Sequence, residues 1–567
     1  MRLRVTKSKN TDIFYVIKTV YIKGKEKTII VEKLGNTSTI KSRTNGENPY
    51  IWAKKYVEEL NKQEKENKRN ITLEKSPSTI ISLNKQKLFN IGYIFLEKLY
   101  YDLKLNKTCK KISERYRIKY DLNKILQDLI YTRIIEPCSK LSSFEVAKKL
   151  VEQPNYELHD IYRALEVISE ETDFIESEVY KNSLNVINRN SKILYYDCTN
   201  YFFEIEQAEG LKQYGKSKEH RQSPIVQMGL FMDGNGIPLA FNITSGNTNE
   251  QTTLKPLEEQ IIRDFEMSKF VVCTDAGLAS IDNRKFNNLQ SRSFIVTQSL
   301  KKIKKHLQEW ALSKDGWHTL GSKKEINLNN LTEEDYDKIF YKEKWINENG
   351  LEQRLIVSYS QKYADYQKHV REEQIQRAKN IIENPGVATR NLNDPKRFIN
   401  VAAITEDGEI AEKKVKSLNI EAIKKEEQFD GFYAVCTTLE DDIADIIKVN
   451  KNRWEIEESF RILKTDFKAR PVYLKRDDRI KAHFTICFLS LLIFRILEKK
   501  LKEGYTSNEI IKTLKDMNMF YEEAEGYIPV YKRTYITDEL HNFLGARTDY
   551  EITSNKSIKN ILKSLKK

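Results

Sequence analysis

Two short apolar runs, each ending on an aspartate, constrain this chain more than any other feature. Ile193–Asp197 reads ILYYD and Lys269–Asp275 reads KFVVCTD. Short runs of β-branched and aromatic residues bounded by polar turns read as buried strands. An aspartate closing such a strand is costly to desolvate and a poor source of stability. It is well placed as a ligand at the carboxyl edge of a sheet. For either aspartate alone, an ordinary strand-end cap is the competing reading. Between and beyond them the pattern is α/β. IVQMGLFM (225–232) and IPLAFNI (237–243) flank Asp233-Gly234-Asn235-Gly236, a hairpin turn signal. Thr248-Asn249-Glu250-Gln251 fits a capping box that opens a helix. FIVT (294–297) supplies the next strand.

This core, 191–300, is set among other segments. Residues 1–85 read as a β-hairpin region and linker: β-prone runs between 13 and 35 flank Gly24-Lys25, and 53–72 is a charged, helix-prone stretch. Over 86–190 the apolar residues take helical steps (Leu88, Ile91, Leu96, Leu99, then Ile125, Leu129, Ile134), which predicts a helical domain. Its Arg133, Lys140 and Lys148 either face DNA or belong to an ordinary amphipathic bundle. Residues 301–430 break the pattern, mixing strand-like RLIVSYS (354–360) with a long polar helix near 362–383, and read as an insertion domain. FYAVCTT (432–438) restores a buried strand, and two helices over 440–468 and 477–501 complete a second core segment, 431–505. The remainder, 506–567, is basic; from Ser554 it carries five lysines and no acid.

At 567 residues the chain is too long for one core, so two to four structural units are expected. With 40% apolar and 10% aromatic residues it is not a disordered protein. Lys plus Arg exceeds Asp plus Glu by 96 to 82, which points to a polyanionic partner. Abundant Lys, Asn, Ile and Tyr also fit AT-rich codons. The six cysteines are scattered without a CxxC pair, which excludes a zinc ribbon and a disulfide framework. The start, MRLRVTKSKNTDIFYVI, has no apolar signal region, and FTICFLSLLIF (484–494) is too short for a bilayer and reads as a core helix. The expected location is the cytoplasm, at the nucleoid, with no membrane partner.

A third acid belongs to Asn452-Arg453-Trp454-Glu455-Ile456-Glu457-Glu458. At helical spacing Arg453, Glu457 and Lys464 fall within roughly 40° of one another. Ile456, Phe460, Leu463 and Phe467 form the adjoining apolar stripe. Glu457 therefore sits at the margin of the buried face, where its carboxylate reaches a sheet-edge metal. A plain amphipathic helix with an i,i+4 ion pair is the alternative. Three converging carboxylates suit hard divalent ions, and two such ions neutralise the attacking and leaving oxygens of a phosphodiester displacement.

The spacing R-x3-E-x6-K, read as Arg453, Glu457 and Lys464, resembles the signature of DDE transposases of the insertion-sequence-four superfamily, carried by bacterial insertion sequences. YYDCTNY at Asp197 and VCTDAG at Asp275 resemble that family's first two acids, and Tyr214–Thr248 resembles the segment between them. The resemblance spans about residues 86–500. It implies an α/β fold: an RNase-H-like catalytic core interrupted by a mainly β insertion domain. It further implies Asp197, Asp275 and Glu457 as catalytic residues holding two Mg²⁺ (or Mn²⁺) ions. Arg453, Lys464, Lys218 and Arg221 are then expected on DNA. Asn450 stands where the family has tyrosine, able to bond a phosphate but not to stack. The implied activity is binding of terminal inverted repeats, DNA cleavage and joining of 3′ ends to target DNA, with a homodimer pairing two ends. A nuclease or junction resolvase of the same core, or a non-enzymatic DNA-binding derivative, is the alternative. The insertion, starting Lys301-Lys302-Ile303-Lys304-Lys305, is expected to cover the DNA end. At its exit, strand alternation lets only one of Phe432 and Tyr433 face DNA; Phe432 is then expected at the mouth, holding an extruded base, with Tyr433 in the core, and the competing reading makes both aromatics core residues.

Overall fold

The structure, a computed structural model, describes residues 1–7, 11–22, 25–44, 47–67, 71, 73, 75–322, 324–383, 395–403, 414–501, 504–523 and 525–566. The chain divides into two compact units. The smaller comprises 1–87, 520–529 and 548–559; the larger comprises 88–519, 530–547 and 560–567.

In the smaller unit the expected hairpin is present as strands Asp12–Ile22 and Lys25–Asn36, joined by a third, Arg2–Lys7, into an antiparallel sheet. The turn residue Gly24 lies outside the described residues. The charged stretch after it forms a helix, Pro49–Asn67, that buries Ala53 and Val57 against Phe14, Val16, Leu34 and Ile40.

The larger unit is built on a ten-stranded mixed sheet. Its strands are β1 (Ile193–Phe202), β2 (Ile225–Asp233), β3 (Pro238–Ser245), β4 (Val271–Thr274), β5 (Ser293–Thr297), β6 (Trp317–Thr319), β7 (Glu325–Ile326), β8 (Phe340–Glu348), β9 (Leu351–Tyr359) and β10 (Phe432–Thr437). They are ordered β7-β6-β8-β9-β10-β5-β4-β1-β2-β3. The β1–β4 and β4–β5 pairs are parallel and all others antiparallel. This corrects one expectation. Residues 301–430 are not a self-contained, mainly β insertion: four of their strands, β6–β9, extend the core sheet, and they also carry a helix of 23 residues, Gln361–Glu383. The physical reason is the β9–β10 ladder, six register pairs from Arg354↔Thr437 to Tyr359↔Phe432, which stitches the insertion to the returning strand.

Four helices position the site. They are α1 (Leu122–Ile135), α2 (Lys140–Ala147), α3 (Trp454–Arg461) and α4 (Asp477–Lys500). Alternate residues of β1 face opposite layers. Leu194, Tyr196 and Cys198 pack into a core with Leu254, Leu257 and Ile261 of the helix Leu254–Asp264. Tyr195 and Tyr201 face the other layer, where Tyr201 meets Phe484 of α4 at 4.8 Å between ring centroids. Helix α4 is apolar all round and long enough to cross a membrane, yet 94% of its most apolar window is buried inside the protein. It packs on α1 and on β3, where Phe241 and Phe488 stack.

The β2–β3 turn is fastened by a fully buried ion pair. Arg189 Nε donates to Asp233 Oδ2 at 2.6 Å, and Nη1 donates to Ser183 Oγ. Nη2 donates to the carbonyls of Ile237 and Pro238. Asp233 Oδ1 accepts from the amides of Asn235 and Ile237. Every charge here is satisfied, so removing one partner strands the other in the interior. Arg189→Ala is expected to destabilise the larger unit by about 3–5 kcal/mol, read as a lower urea midpoint; an unchanged midpoint would remove the pair from the account of the hairpin.

Candidate active site

The two aspartates are brought together by register. In the parallel β1–β4 ladder Ile193 pairs with Val271, Leu194 with Val272 and Tyr195 with Cys273. Two residues further along each strand stand Asp197 and Asp275. Both continue the face of Tyr195 and Cys273, toward the helical layer. On that face Tyr195 Oη donates to the carbonyl of Val449, and Cys273 Sγ lies 3.8 Å from Asn450 Oδ1.

Each aspartate uses one oxygen locally. Asp197 Oδ1 accepts from the Cys198 amide at 2.7 Å. Asp275 Oδ1 accepts from the amides of Gly277 and Leu278 at 3.0 and 3.1 Å. Among the described residues, neither Oδ2 has a hydrogen-bond donor. Burial pushes the Asp197 carboxyl up to about 6; Lys218 pulls against this, and neighbouring Asp275 pushes further up. Two hard oxygen donors, crowded and partly desolvated, fit a divalent cation.

Cations surround the pair. Lys218 Nζ donates to the Cys198 carbonyl and lies 3.3 Å from Glu250. Burial alone would lower its ammonium, yet the fields of Asp197 and Glu250 leave it raised. Arg453 also acts on Asp197. Lys464 sits over the Tyr201 ring at 5.7 Å and is held down to about 8 by burial and by Lys218. Its other neighbour, Glu219 at 3.9 Å, is ion-paired with Arg470.

Glu457 stands apart. Its side chain is 62% exposed, and its ion pair is with Arg453, at 3.6 Å. The more enclosed acid of α3 is instead Glu455, its side chain 16% exposed and gripped by Arg495 and Lys499 of α4. Among the described residues no three His, Cys, Asp or Glu side chains gather on one point to hold a metal. The expected Arg453–Glu457–Lys464 stripe is also altered. Residues Ile462–Asp466 form a π-helical turn, closed by Phe467 N donating to Ile462 O at 2.9 Å. That wider turn rotates Lys464 inward, to 15% exposure, while Glu457 stays outside.

Two expected DNA contacts are placed otherwise. Asn450 is buried and its Nδ2 donates to Tyr433 Oη at 2.9 Å, so its amide is engaged within the protein. Phe432 is not at a mouth: it is 7% exposed, in a core with Trp317 and Tyr359. Alternation along β10 holds, but the faces are the reverse of those expected. Trp317, Tyr359 and the helix Lys305–Leu312 form the core on the Phe432 side, whereas Tyr433 faces a cavity of about 480 Å³. Trp454, 56% exposed, Tyr363 and Arg453 line the same cavity, with Glu457. Arg221 lies over the Phe202 ring at 4.0 Å and 3.7 Å from Glu219. Sequence reading missed Glu219, Arg470 and Trp454. Only Trp454 carried a signal, as an aromatic beside Arg453; nothing in spacing ties Glu219 to Arg470.

Comparison with known proteins gives the class. The family model described as "Transposase DDE domain" matches residues 202–493, just over half of the chain, taking in Asp275 and Glu457 and starting just after Asp197. The chain belongs to this family of DDE transposases, whose domains use divalent metal ions. It is similar to a solved cryo-EM structure of the piggyBac transposase synaptic complex with hairpin DNA, at 9% identity and TM-score 0.36 over 84% of this chain and 85% of that one. No curated protein sequence matches it.

The raised Asp197 fixes the sign of one measurement. Its folded value lies above the ordinary carboxylate value, so the ionised form weighs against folding above about pH 6, and the penalty fades as pH falls toward 4. In metal-free protein Asp197→Asn is therefore expected to raise stability by about 1–2 kcal/mol at pH 7.5, with the gain vanishing near pH 4. A loss of stability at pH 7.5 would show Asp197 to be a structural cap.

Proposed function

We propose that this protein is the transposase of a bacterial insertion sequence of the insertion-sequence-four kind. It binds the ends of its element, cleaves the DNA and joins the 3′ ends to target DNA. The observation that carries the reading is the register pairing that sets Asp197 beside Asp275, on the face that meets α3 and inside a ring of Lys218, Arg453 and Lys464.

In this reading Asp197 and Asp275 offer their Oδ2 atoms as metal ligands, and Glu457 completes the set. Two Mg²⁺ or Mn²⁺ ions would supply charge neutralisation at the attacking and leaving oxygens of an in-line displacement. The chain's residues do the rest. Arg453, relieved of Glu457, turns its guanidinium to a phosphate next to the scissile bond, where a charge-assisted pair is strong. Lys464 and Lys218 hold flanking phosphates, and the partly buried position of Lys464 makes its contact less screened than a surface one. A homodimer pairs the two ends, and the nucleoid is the site of action. Tyr433 and Trp454, rather than Phe432, offer the aromatic faces on which an extruded base stacks.

The test uses purified protein, end-labelled DNA from the flanks of its own gene, and reactions with and without Mg²⁺. Alanine at Asp197, Asp275 or Glu457 is expected to slow cleavage by about 100-fold or more while end binding persists. Near-normal cleavage by any one of them removes it from the metal set. Cleavage without joined product would make the protein a nuclease.

The aromatic assignment is tested separately, with a fluorescent base analogue at the cleaved end. Tyr433→Ala or Trp454→Ala is expected to slow the second-strand step by about 10- to 100-fold, the worth of one stacked base. Phe432→Ala should act through stability instead, costing about 3–5 kcal/mol. Unchanged extrusion in both cavity variants would place the flipped base elsewhere.

A further inference from the structure

A second cavity, of about 350 Å³, lies between α1, the start of α2, the segment after the π turn, and α4. Four cationic side chains line it, Arg133, Lys140, Lys468 and Arg470, together with Ser139 and His483; no acid is among its lining residues. The nearest acid with a partner there, Glu219, pairs with Arg470 from outside the lining.

Lys140 is the unusual member. It is 5% exposed, and among the described residues it has neither a hydrogen bond nor an ion pair. A buried, unpaired ammonium is costly and is retained only where something offsets it. Arg133 is also buried. Its Nη atoms donate to the carbonyls of Phe467, Lys468 and Cys138, which shapes the cavity wall, but its Nε has no acceptor. His483 Nε2 donates to the carbonyl of Ala469, and burial, reinforced by Arg133 and Lys140, holds its imidazole well below the usual histidine range. Ser139 caps α2 through the Ser142 amide, so the positive end of that helix adds to the field.

We propose that this cavity is a phosphate-binding pocket, in which Lys140, Arg133, Lys468 and Arg470 close around a single phosphate group. Converging guanidinium and ammonium donors with no carboxylate among them are the chemistry that selects such an oxyanion. Without an occupant, burial and Arg133 hold the Lys140 ammonium down to about 7, so phosphate entry also restores its full charge. The phosphate has two possible sources, free phosphate or the backbone of bound DNA. Geometry favours the backbone, because Arg470 and Lys464 share Glu219, which puts the pocket one ion pair from the cations around Asp197.

The test has two arms, and only the second rests on the transposase reading. In the first, thermal unfolding of the full chain is followed in inorganic phosphate and in chloride at matched ionic strength. Phosphate is expected to raise the wild-type midpoint beyond chloride. Lys140→Met is expected to start from a higher midpoint and to lose most of the phosphate shift. Lys468→Ala, an exposed change that leaves folding intact, should reduce the shift. No phosphate-specific shift in wild type, or a full shift in both variants, overturns the proposal. In the second arm, binding to DNA from the flanks of the gene is measured against salt. If a backbone phosphate enters, Lys140→Met lowers the slope of log K against log salt by about 0.9. An unchanged slope with a positive first arm assigns the pocket to free phosphate. If wild type does not bind that DNA at all, the transposase reading fails while the first arm still stands.

Discussion

The parallel pairing of β1 with β4 is the constraint on which the rest depends. A parallel pair cannot be closed by a tight turn; it needs a crossover. Here the crossover carries β2 and β3, which extend the sheet beyond β1, and the helix Leu254–Asp264, which packs on one face of it. Both strands run the same way, and β4 ends at Thr274 while β1 continues past Asp197 to Phe202, so Asp275 leaves its strand beside the point that Asp197 occupies within β1. The register then leaves two carboxylates side by side at that point. Their repulsion opposes the folded state, and the burial of Leu194, Tyr196, Val272 and their neighbours has to outweigh it. The chemistry is thus written into backbone hydrogen bonds, which hold position more tightly than any side-chain rotamer.

The third acid is fixed less firmly, for an identifiable reason. Helix α3 is anchored by Glu455 to Arg495 and Lys499, and by Ile456 and Phe460 in the core. That anchor commits one side of the helix to the interior and leaves Glu457, two residues on, nearly opposite. Glu457 rests on Arg453 in an exposed pair, an interaction worth about 0–1 kcal/mol. A ligand that needs both groups therefore has little to displace. In the proposed site two of the three acids are set by the sheet, and the proposed third, Glu457, rests on Arg453, the proposed phosphate contact.

Much of this was legible in the sequence where the signal is local. The apolar runs before Asp197 and Asp275 are strands, although the first does not end at Asp197 as expected but continues to Phe202; the turn at Asp233–Gly236 joins a hairpin, and the polar stretch after Ser360 is a helix. What was illegible depends on distant pairing or on small backbone changes. The union of β9 with β10 joins segments far apart in sequence and has no periodic signature of its own. Alternation told that Phe432 and Tyr433 face apart, but not on which face the core would form. The π turn at Ile462–Asp466 leaves the apolar pattern intact while shifting Lys464 relative to Glu457. Spacing alone could not distinguish Glu455 from Glu457 as the inward acid, because the deciding partner, Arg495, lies on another helix.

The continuity of the sheet changes what the inserted segment is. As a separate domain it would be a cover that approaches the DNA from outside and comes away whole. As strands β6–β9 of the same sheet, it carries the ladder partner of β10 and the core around Trp317, Phe340 and Tyr359, against which Phe432 packs. Removing 301–430 would expose the open edge of β10 and empty that core, and β10 in turn pairs with β5, the neighbour of β4. Strand β9, through Ile356, Ser358 and Tyr359, also builds one wall of the cavity that holds Tyr433, Trp454 and Arg453. A disturbance in the inserted segment therefore reaches Asp275 through three strand pairings, β9–β10, β10–β5 and β5–β4, and reaches Arg453 through one cavity wall. In the proposed reading the segment is therefore part of the scaffold that holds Asp275 and Arg453, and any role in covering a DNA end is added to that one.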